Sequence, residues 1–79
     1  MYIQDTTRLK ILGMTDRSGN SLVRHSLKRV PNVKHVAVDE DSGVALVSHV
    51  GVSTGELIEA VHRAGYGAYR LWEDDLQVV

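Results

Sequence analysis

The 79-residue sequence contains no cysteine, which excludes disulfides, iron–sulfur clusters and metal sites built on thiolates. Aromatic residues make up only 5% of the chain, too few for the stacking platforms that bind single-stranded nucleic acid. The net charge of −1 gives no long-range attraction to nucleic acid or to membranes. No long apolar segment, signal peptide or enzyme motif is found. These absences predict a cytoplasmic, non-enzymatic globular domain.

The first half of the chain shows a strand pattern followed by a helix pattern. Residues 7–12 alternate apolar and charged side chains, as a half-buried strand does, and a loop follows them. A helix then ends before Pro31, because the residue before proline disfavours the helical conformation. Ser26 lies on the apolar stripe of this helix, which consists of Leu22, Val23, Leu27 and Val30.

The second half begins with a hairpin and then repeats the order helix, strand. Alternating residues around Val36 and Val38 predict strand two, residues 39–43 a turn and residues 44–50 strand three. Ser53 and Glu56 form a capping box that begins the second helix, and Gly65 ends it. Residues 66–72 are the last predicted strand, and residues 73–79 are expected to be a frayed tail.

This element order predicts the fold class. Right-handed crossovers turn strand, helix, strand, strand, helix, strand into a four-stranded antiparallel sheet with both helices on one face. We therefore predict one α+β domain over residues 1–79, with its core at residues 7–72. The expected architecture is a ferredoxin-like βαββαβ sandwich with the strand order 4-1-3-2.

Three short motifs occur together at matching positions along the chain: one in the loop after strand one, one at the end of helix one and one in the turn after helix two. They are Gly13-Met14-Thr15, Val30-Pro31 and Ala64-Gly65-Tyr66. Together they resemble the heavy-metal-associated family, which includes copper chaperones, mercury-binding proteins and N-terminal domains of metal-transporting P-type ATPases. The resemblance covers residues 7–70 and implies a role in metal transport or homeostasis.

The resemblance fails at the metal ligands. In that family the loop continues with a cysteine, and a second cysteine follows three residues later. Asp16 and Gly19 occupy these two positions here. Soft ions such as copper(I) prefer sulfur, which neither a carboxylate nor glycine replaces. The resemblance therefore implies a degenerate metal site.

Two roles are open for Asp16. It can cap the first helix, as Thr15 can, because a short side-chain oxygen accepts from the unpaired N–H groups of the first turn. It can instead be a ligand for a borderline divalent metal such as zinc, cobalt or nickel. The partial positive charge at a helix N-terminus opposes a bound cation, so we favour the cap.

Most of the histidines do not suit such a metal site. His35 and His49 are expected on opposite faces of the sheet, because successive strand side chains alternate. His25 lies among arginine and lysine. His62 is the exception, since the last turn of helix two should reach the pole that carries the first loop. Its other role is to interact favourably with the helix C-terminus.

The candidate metal site therefore consists of Asp16 and His62. The residues expected near it are Met14, Thr15, Gly19 and Tyr66. A thioether such as that of Met14 can bind copper(I), but one methionine after a strand more often packs in the core.

Charge is segregated along the chain although the total is near zero. Acidic residues cluster at residues 39–41 and 73–75, and basic residues cluster on helix one. A solvated helix face often has this pattern. The resemblance implies instead a docking face for an acidic surface, which raises association rates and selects partners. The candidate docking residues are Arg17, Arg24, His25, Lys28 and Arg29.

The sequence and the resemblance together predict a soluble domain of a metal transport system. We expect the N-terminal cytosolic domain of a metal-transporting P-type ATPase or a small metallochaperone-like protein. Its degenerate site would bind a borderline divalent metal weakly, or the domain would act by docking to another domain of the same transporter or to a partner protein. The alternative is a regulatory interaction module that binds no metal.

Overall fold

The computed structural model describes residues 4–14 and 17–72, except for the side chain of Arg17. Thr15, Asp16 and the tail at residues 73–79 lie outside this range. The element order is the predicted one. The elements are β1 (Asp5–Leu12), α1 (Arg17–Lys28), β2 (Val33–Asp39), β3 (Val44–His49), α2 (Thr54–Arg63) and β4 (Gly67–Leu71).

The four strands form one antiparallel sheet in the order β2-β3-β1-β4. This is the predicted order read from the opposite edge, so the ferredoxin-like topology is confirmed. β1 is central and pairs with β3 on one side and β4 on the other. β2 and β4 are the two edge strands. β1 begins earlier than predicted, because Asp5 and Thr6 already pair with β3.

The core lies between one face of the sheet and the two helices. Leu9 and Val47 from the sheet are fully buried, as are Val23 and Leu27 from α1 and Leu57 and Val61 from α2. Burial of such side chains contributes roughly 1.5–3 kcal/mol each, relative to leaving them exposed. Both helices therefore pack on the same face. None of the helices in the described part of the chain is long and apolar enough to span a bilayer.

The predicted apolar stripe of α1 needs two corrections. Leu22 is 53% exposed, because α1 turns Val23 and Leu27 toward the sheet and leaves Leu22 at the rim. Val30 is buried, but it lies in the turn after the helix, where its N–H donates to the Leu27 carbonyl at 3.1 Å. Ser26 faces the other helix and donates to the Ala60 carbonyl at 2.5 Å.

Both ends of α2 lie where the sequence predicts them, and the Ser53 half of the predicted capping box is present. The Ser53 hydroxyl accepts from the N–H of Glu56 at 3.2 Å, which satisfies one unpaired donor of the first turn. Gly65 has φ +93°, a left-handed conformation that favours glycine. The N–H of Gly65 donates to the His62 carbonyl at 2.9 Å, and that of Tyr66 to the Val61 carbonyl at 3.2 Å. This is a Schellman motif, which turns the chain sharply toward β4.

Candidate functional site

The loop after β1 begins with a conformation that only glycine adopts easily. Gly13 has φ +90°, so the chain leaves β1 in a sharp turn. Met14 follows and packs partly buried against the hydrophobic core. Its side chain therefore occupies the core position expected from the sequence, beneath the loop. Thr15 and Asp16, the next two residues, lie outside the described residues.

Gly19, in the first turns of α1, has its side-chain space occupied by other residues. A Cβ atom built on Gly19 would lie 2.7 Å from the Tyr66 hydroxyl oxygen and 2.9 Å from the Met14 Cγ atom. Both distances are shorter than van der Waals contact. A side chain at position 19 therefore requires both the Tyr66 ring and Met14 to move.

Tyr66 reaches this place from the end of α2. The Schellman motif at Gly65 directs the chain back across the start of α1, and Tyr66 is the first residue after it. The Tyr66 ring also approaches the loop, since a Cβ atom on Gly13 would lie 3.8 Å from its Cδ1 atom. The structure thus brings together Met14, Gly19 and Tyr66. No sequence pattern indicated that the tyrosine would fill the glycine's space, because the two residues are far apart in the chain.

His62 is exposed near the end of α2. It follows Thr54 and Ile58 at intervals of four residues, which places the three on one side of the helix. The Thr54 hydroxyl accepts from Arg70 Nη1 of β4 at 2.8 Å, so this side faces β4 rather than α1. Within residues 4–14 and 17–72, no group of three His, Asp or Glu side chains converges as a metal site. The pairing of Asp16 with His62 stays a prediction.

The other histidines are separated as expected. His49 is 4% exposed, and its Nε2 atom lies 2.7 Å from the Thr7 hydroxyl, which is also buried. Its Nδ1 atom is buried without a hydrogen-bond partner in the described part of the chain. His35 is exposed on the adjacent strand, at the register position opposite Ser48. His49 is therefore a core residue, and it shares no site with His35.

The candidate docking residues whose side chains the structure describes are all exposed: Arg24, His25 and Lys28 of α1, and Arg29 in the turn after it. The side chain of Arg17, the fifth candidate, lies outside the described residues. α1 has a depression on each side. A groove of about 760 Å³ lies along its junction with α2, and a cleft of about 650 Å³ lies along its junction with β2.

The two depressions divide the exposed basic residues of α1 and of the turn after it, with His25 lining both. Arg29 lines the groove, where Glu56 and Glu59 of α2 oppose it. Arg24 and Lys28 line the cleft, where no acidic residue is among the described lining residues. The groove therefore has mixed charge and the cleft is basic. The sequence indicated one basic face and missed this division, which depends on how α2 packs against α1.

The fold and the contacts of Tyr66 define a class of protein: a βαββαβ domain in which the residue after the turn that ends the second helix packs beside Gly13 and Gly19. The model of the heavy-metal-associated domain matches residues 8–67 of the chain. The chain therefore belongs to the heavy-metal-associated family.

Solved structures agree with this assignment. A protein described under "Crosstalk between Cu(I) and Zn(II) homeostasis" is 34% identical, with a TM-score of 0.82 over 85% of this chain and 99% of the other. The N-terminal domain of PacS from Synechocystis PCC6803 is 31% identical, with a TM-score of 0.80 over 86% and 98%. Oxidized MerP from Ralstonia metallidurans CH34 is 25% identical, with a TM-score of 0.84 over 89% and 100%.

Proposed function

We propose that this chain is a non-catalytic cytoplasmic domain of metal homeostasis that acts by docking rather than by carrying a soft metal ion. It would belong to a metal-transporting P-type ATPase or be a small metallochaperone-like protein. The similar N-terminal domain of PacS and the protein described with Cu(I) and Zn(II) homeostasis support this context. The partner would be another domain of the same transporter or a protein with an acidic surface.

The filled space at Gly19 is the observation that carries this proposal. The family resemblance implies a cysteine there, yet the position has no side chain and the Tyr66 hydroxyl occupies the room for one. With no cysteine anywhere in the chain, thiolate chelation of copper(I) or mercury is excluded. What the scaffold retains is a pair of packed helices with exposed basic residues, which suits recognition of another protein.

A weak site for zinc, cobalt or nickel at Asp16 and His62 is the second candidate. His62 is exposed, and its ring forms no hydrogen bond with the described residues, so it is accessible to a metal ion. Imidazole and carboxylate are ligands that borderline divalent ions accept. With so few protein ligands, solvent or a partner would have to complete the coordination.

A metal titration followed by amide NMR tests both candidates. The ¹⁵N-labelled protein is titrated with zinc, cobalt, nickel and copper(I). We expect no capture of copper(I) and no shifts at excess metal. Shifts confined to Asp16, His62 and Tyr66, and abolished by His62→Ala, would support the weak divalent site. Submicromolar capture of copper(I) by the unaltered protein would contradict the proposal.

The docking role is tested by recovery of partners. The wild-type domain is compared with Arg24→Glu/Lys28→Glu and with Arg63→Glu, a control on the exposed side of α2. We expect the wild type and the control to recover the same metal-transport protein from the source cells, and the double variant to lose it. Equal recovery by all three proteins would exclude the basic face as the docking surface.

A further inference from the structure

The cleft beside α1 adjoins an unpaired sheet edge. β2 pairs only with β3, so the backbone N–H and C=O groups on its other side have no strand partner among the described residues. α1 packs against β2 and forms the opposite wall of the cleft. An extended peptide that pairs with a free strand edge gains main-chain hydrogen bonds, and the adjoining wall can select its side chains.

The length of usable edge is limited by an irregularity. The pairing of β2 with β3 shifts register between Val33 and His35, and is regular from His35 to Asp39. Bulges and lysines such as Lys34 protect sheet edges from uncontrolled pairing. The regular part nevertheless leaves five residues, His35 to Asp39, which is close to the typical length of a strand in a globular protein.

The charge of the cleft specifies the chemistry of what binds there. The titratable residues that line it, among those described, are two basic residues and two histidines: Arg24, Lys28, His25 and His35. The side chain of Val36 adds an apolar surface at the base. Acidic residues lie just beyond the cleft, because Asp39 ends the regular edge of β2 and Glu40 Oε1 contacts Asn20 Nδ2 at 3.4 Å.

The groove on the other side of α1 is a poorer candidate for an acidic partner. Glu56 and Glu59 line it, and Arg63 is already paired with Glu59 at 3.1 Å. An acidic segment placed there would meet like charges, which disfavour association. Charge complementarity therefore favours the cleft over the groove.

We propose that β2 and α1 form a docking site for an extended acidic segment of a partner protein. The segment adds as a fifth strand at the β2 edge, with its carboxylates facing Arg24 and Lys28. This inference rests on the docking function proposed above and specifies where and how the partner binds.

Synthetic octapeptides with defined chemistry test the mode of binding. The probe alternates glutamate and valine, and a lysine–valine peptide is the charge control. Two further probes carry N-methyl groups on alternate residues, one set on the glutamates and the other on the valines. In a paired strand, the N–H groups of alternate residues donate to the neighbouring strand. Only one of the two methylated probes should therefore lose binding. Purely electrostatic binding would tolerate both sets equally.

Amide NMR of the labelled protein locates the binding. We expect the acidic probe to shift the amides of β2 between His35 and Asp39 and those of α1 near Arg24. Arg24→Glu/Lys28→Glu should weaken binding by about tenfold or more, whereas Arg63→Glu should leave it unchanged. The substituted residues are exposed, and dispersed amide spectra will show that each variant is folded.

The outcomes separate the two proposals. Shifts confined to the groove residues, or equal binding of both methylated probes, would overturn strand addition and leave docking by α1 standing. Concentration-dependent self-association at β2 that excludes the peptide would also overturn it, in favour of a second copy as the occupant. No binding of the acidic probe anywhere, together with no partner recovered in the pull-down, would contradict the docking function itself.

Discussion

At the scale of single residues, Thr7 and His49 form a buried polar pair within an otherwise apolar core. Both are at least nine-tenths buried, and the Thr7 hydroxyl lies 2.7 Å from Nε2 of His49. Leaving one partner of a buried hydrogen bond unsatisfied costs about 1–3 kcal/mol, more than the net gain from forming the bond.

Thr7→Val should therefore destabilise the domain by about 1–3 kcal/mol, since Nε2 of His49 loses its partner. Urea unfolding followed by circular dichroism measures the change. Thr6→Val, at the exposed neighbouring position, is the matched control and should change stability by less than about 0.5 kcal/mol. If the two variants were equally stable, the Thr7–His49 contact would contribute nothing.

Ser26 was identified from the sequence only as a polar interruption of an apolar stripe. The structure explains it, because its hydroxyl donates to the Ala60 carbonyl where α1 and α2 meet. Sequence periodicity could not predict this contact, since it joins residues of two helices whose relative rotation is set by packing.

Ser26→Ala should cost about 0.5–1.5 kcal/mol through loss of this hydrogen bond. Ser21→Ala, at an exposed position of the same helix, is the control because it brings the same gain in helix propensity. The difference between the two variants in thermal or urea unfolding isolates the contact between the helices. A Ser26→Ala domain as stable as the Ser21→Ala domain would argue against it.

At the scale of the elements, α2 contains one glycine in its first turn and is followed by a second in the turn that ends it, and the two have different backbone conformations. Gly65 has φ +93° and ends the helix, whereas Gly55 lies in its first turn. A Cβ atom on Gly55 would meet only the Ser53 hydroxyl, at an ordinary distance of 3.9 Å. The two positions therefore separate backbone strain from helix propensity within one element.

We expect Gly65→Ala to destabilise the domain by about 1–2 kcal/mol, the cost of a left-handed residue with a Cβ atom. Gly55→Ala should instead stabilise it by up to about 1 kcal/mol, because alanine has the higher helix propensity. Differential scanning fluorimetry should show opposite shifts in Tm. Shifts of the same sign would mean that the end of α2 is not held in the left-handed conformation.

The same Schellman motif links the helix end to the candidate site. It determines where Tyr66 leaves α2, and Tyr66 fills the space beside Gly19. Amide spectra of Gly65→Ala should consequently change at Met14 and Gly19 as well as in α2. The motif itself was readable from Ala64-Gly65-Tyr66, but its contact with α1 was not, because that contact is between residues distant in sequence.

At the scale of the whole molecule, the fold followed from local patterns because each element carries its own signal. The order of the elements and the sheet topology were predicted from apolar residues recurring every two or about every four positions, from Pro31 after helix one and from Gly65 after helix two. What the patterns did not reveal was tertiary: the exposure of Leu22 and the division of the basic residues between groove and cleft. Both depend on how one helix is rotated against its neighbours.

The scaffold as a whole has the family's architecture, so two cysteines at the positions where the resemblance implies them should be enough to create a copper(I) site. Asp16→Cys/Gly19→Cys supplies two thiolates at the positions where the resemblance implies them. We expect the double variant to bind copper(I) with a dissociation constant below about 1 μM, measured by competition with a chromophoric chelator. Asp16→Cys alone is the control and should bind far more weakly, since one thiolate cannot chelate.

Tyr66 determines how easily that restored site forms. The new Cβ atom at position 19 would lie 2.7 Å from the Tyr66 hydroxyl oxygen, so the ring must move in the double variant. Overpacking of this kind costs typically about 1–3 kcal/mol. Adding Tyr66→Phe removes the oxygen and leaves the contact with Met14 Cγ at 2.9 Å. We therefore expect the two cysteines to reduce stability less in the Tyr66→Phe background than in the wild type. If Tyr66→Phe makes no difference to stability or to copper(I) affinity, the tyrosine does not control the space at position 19.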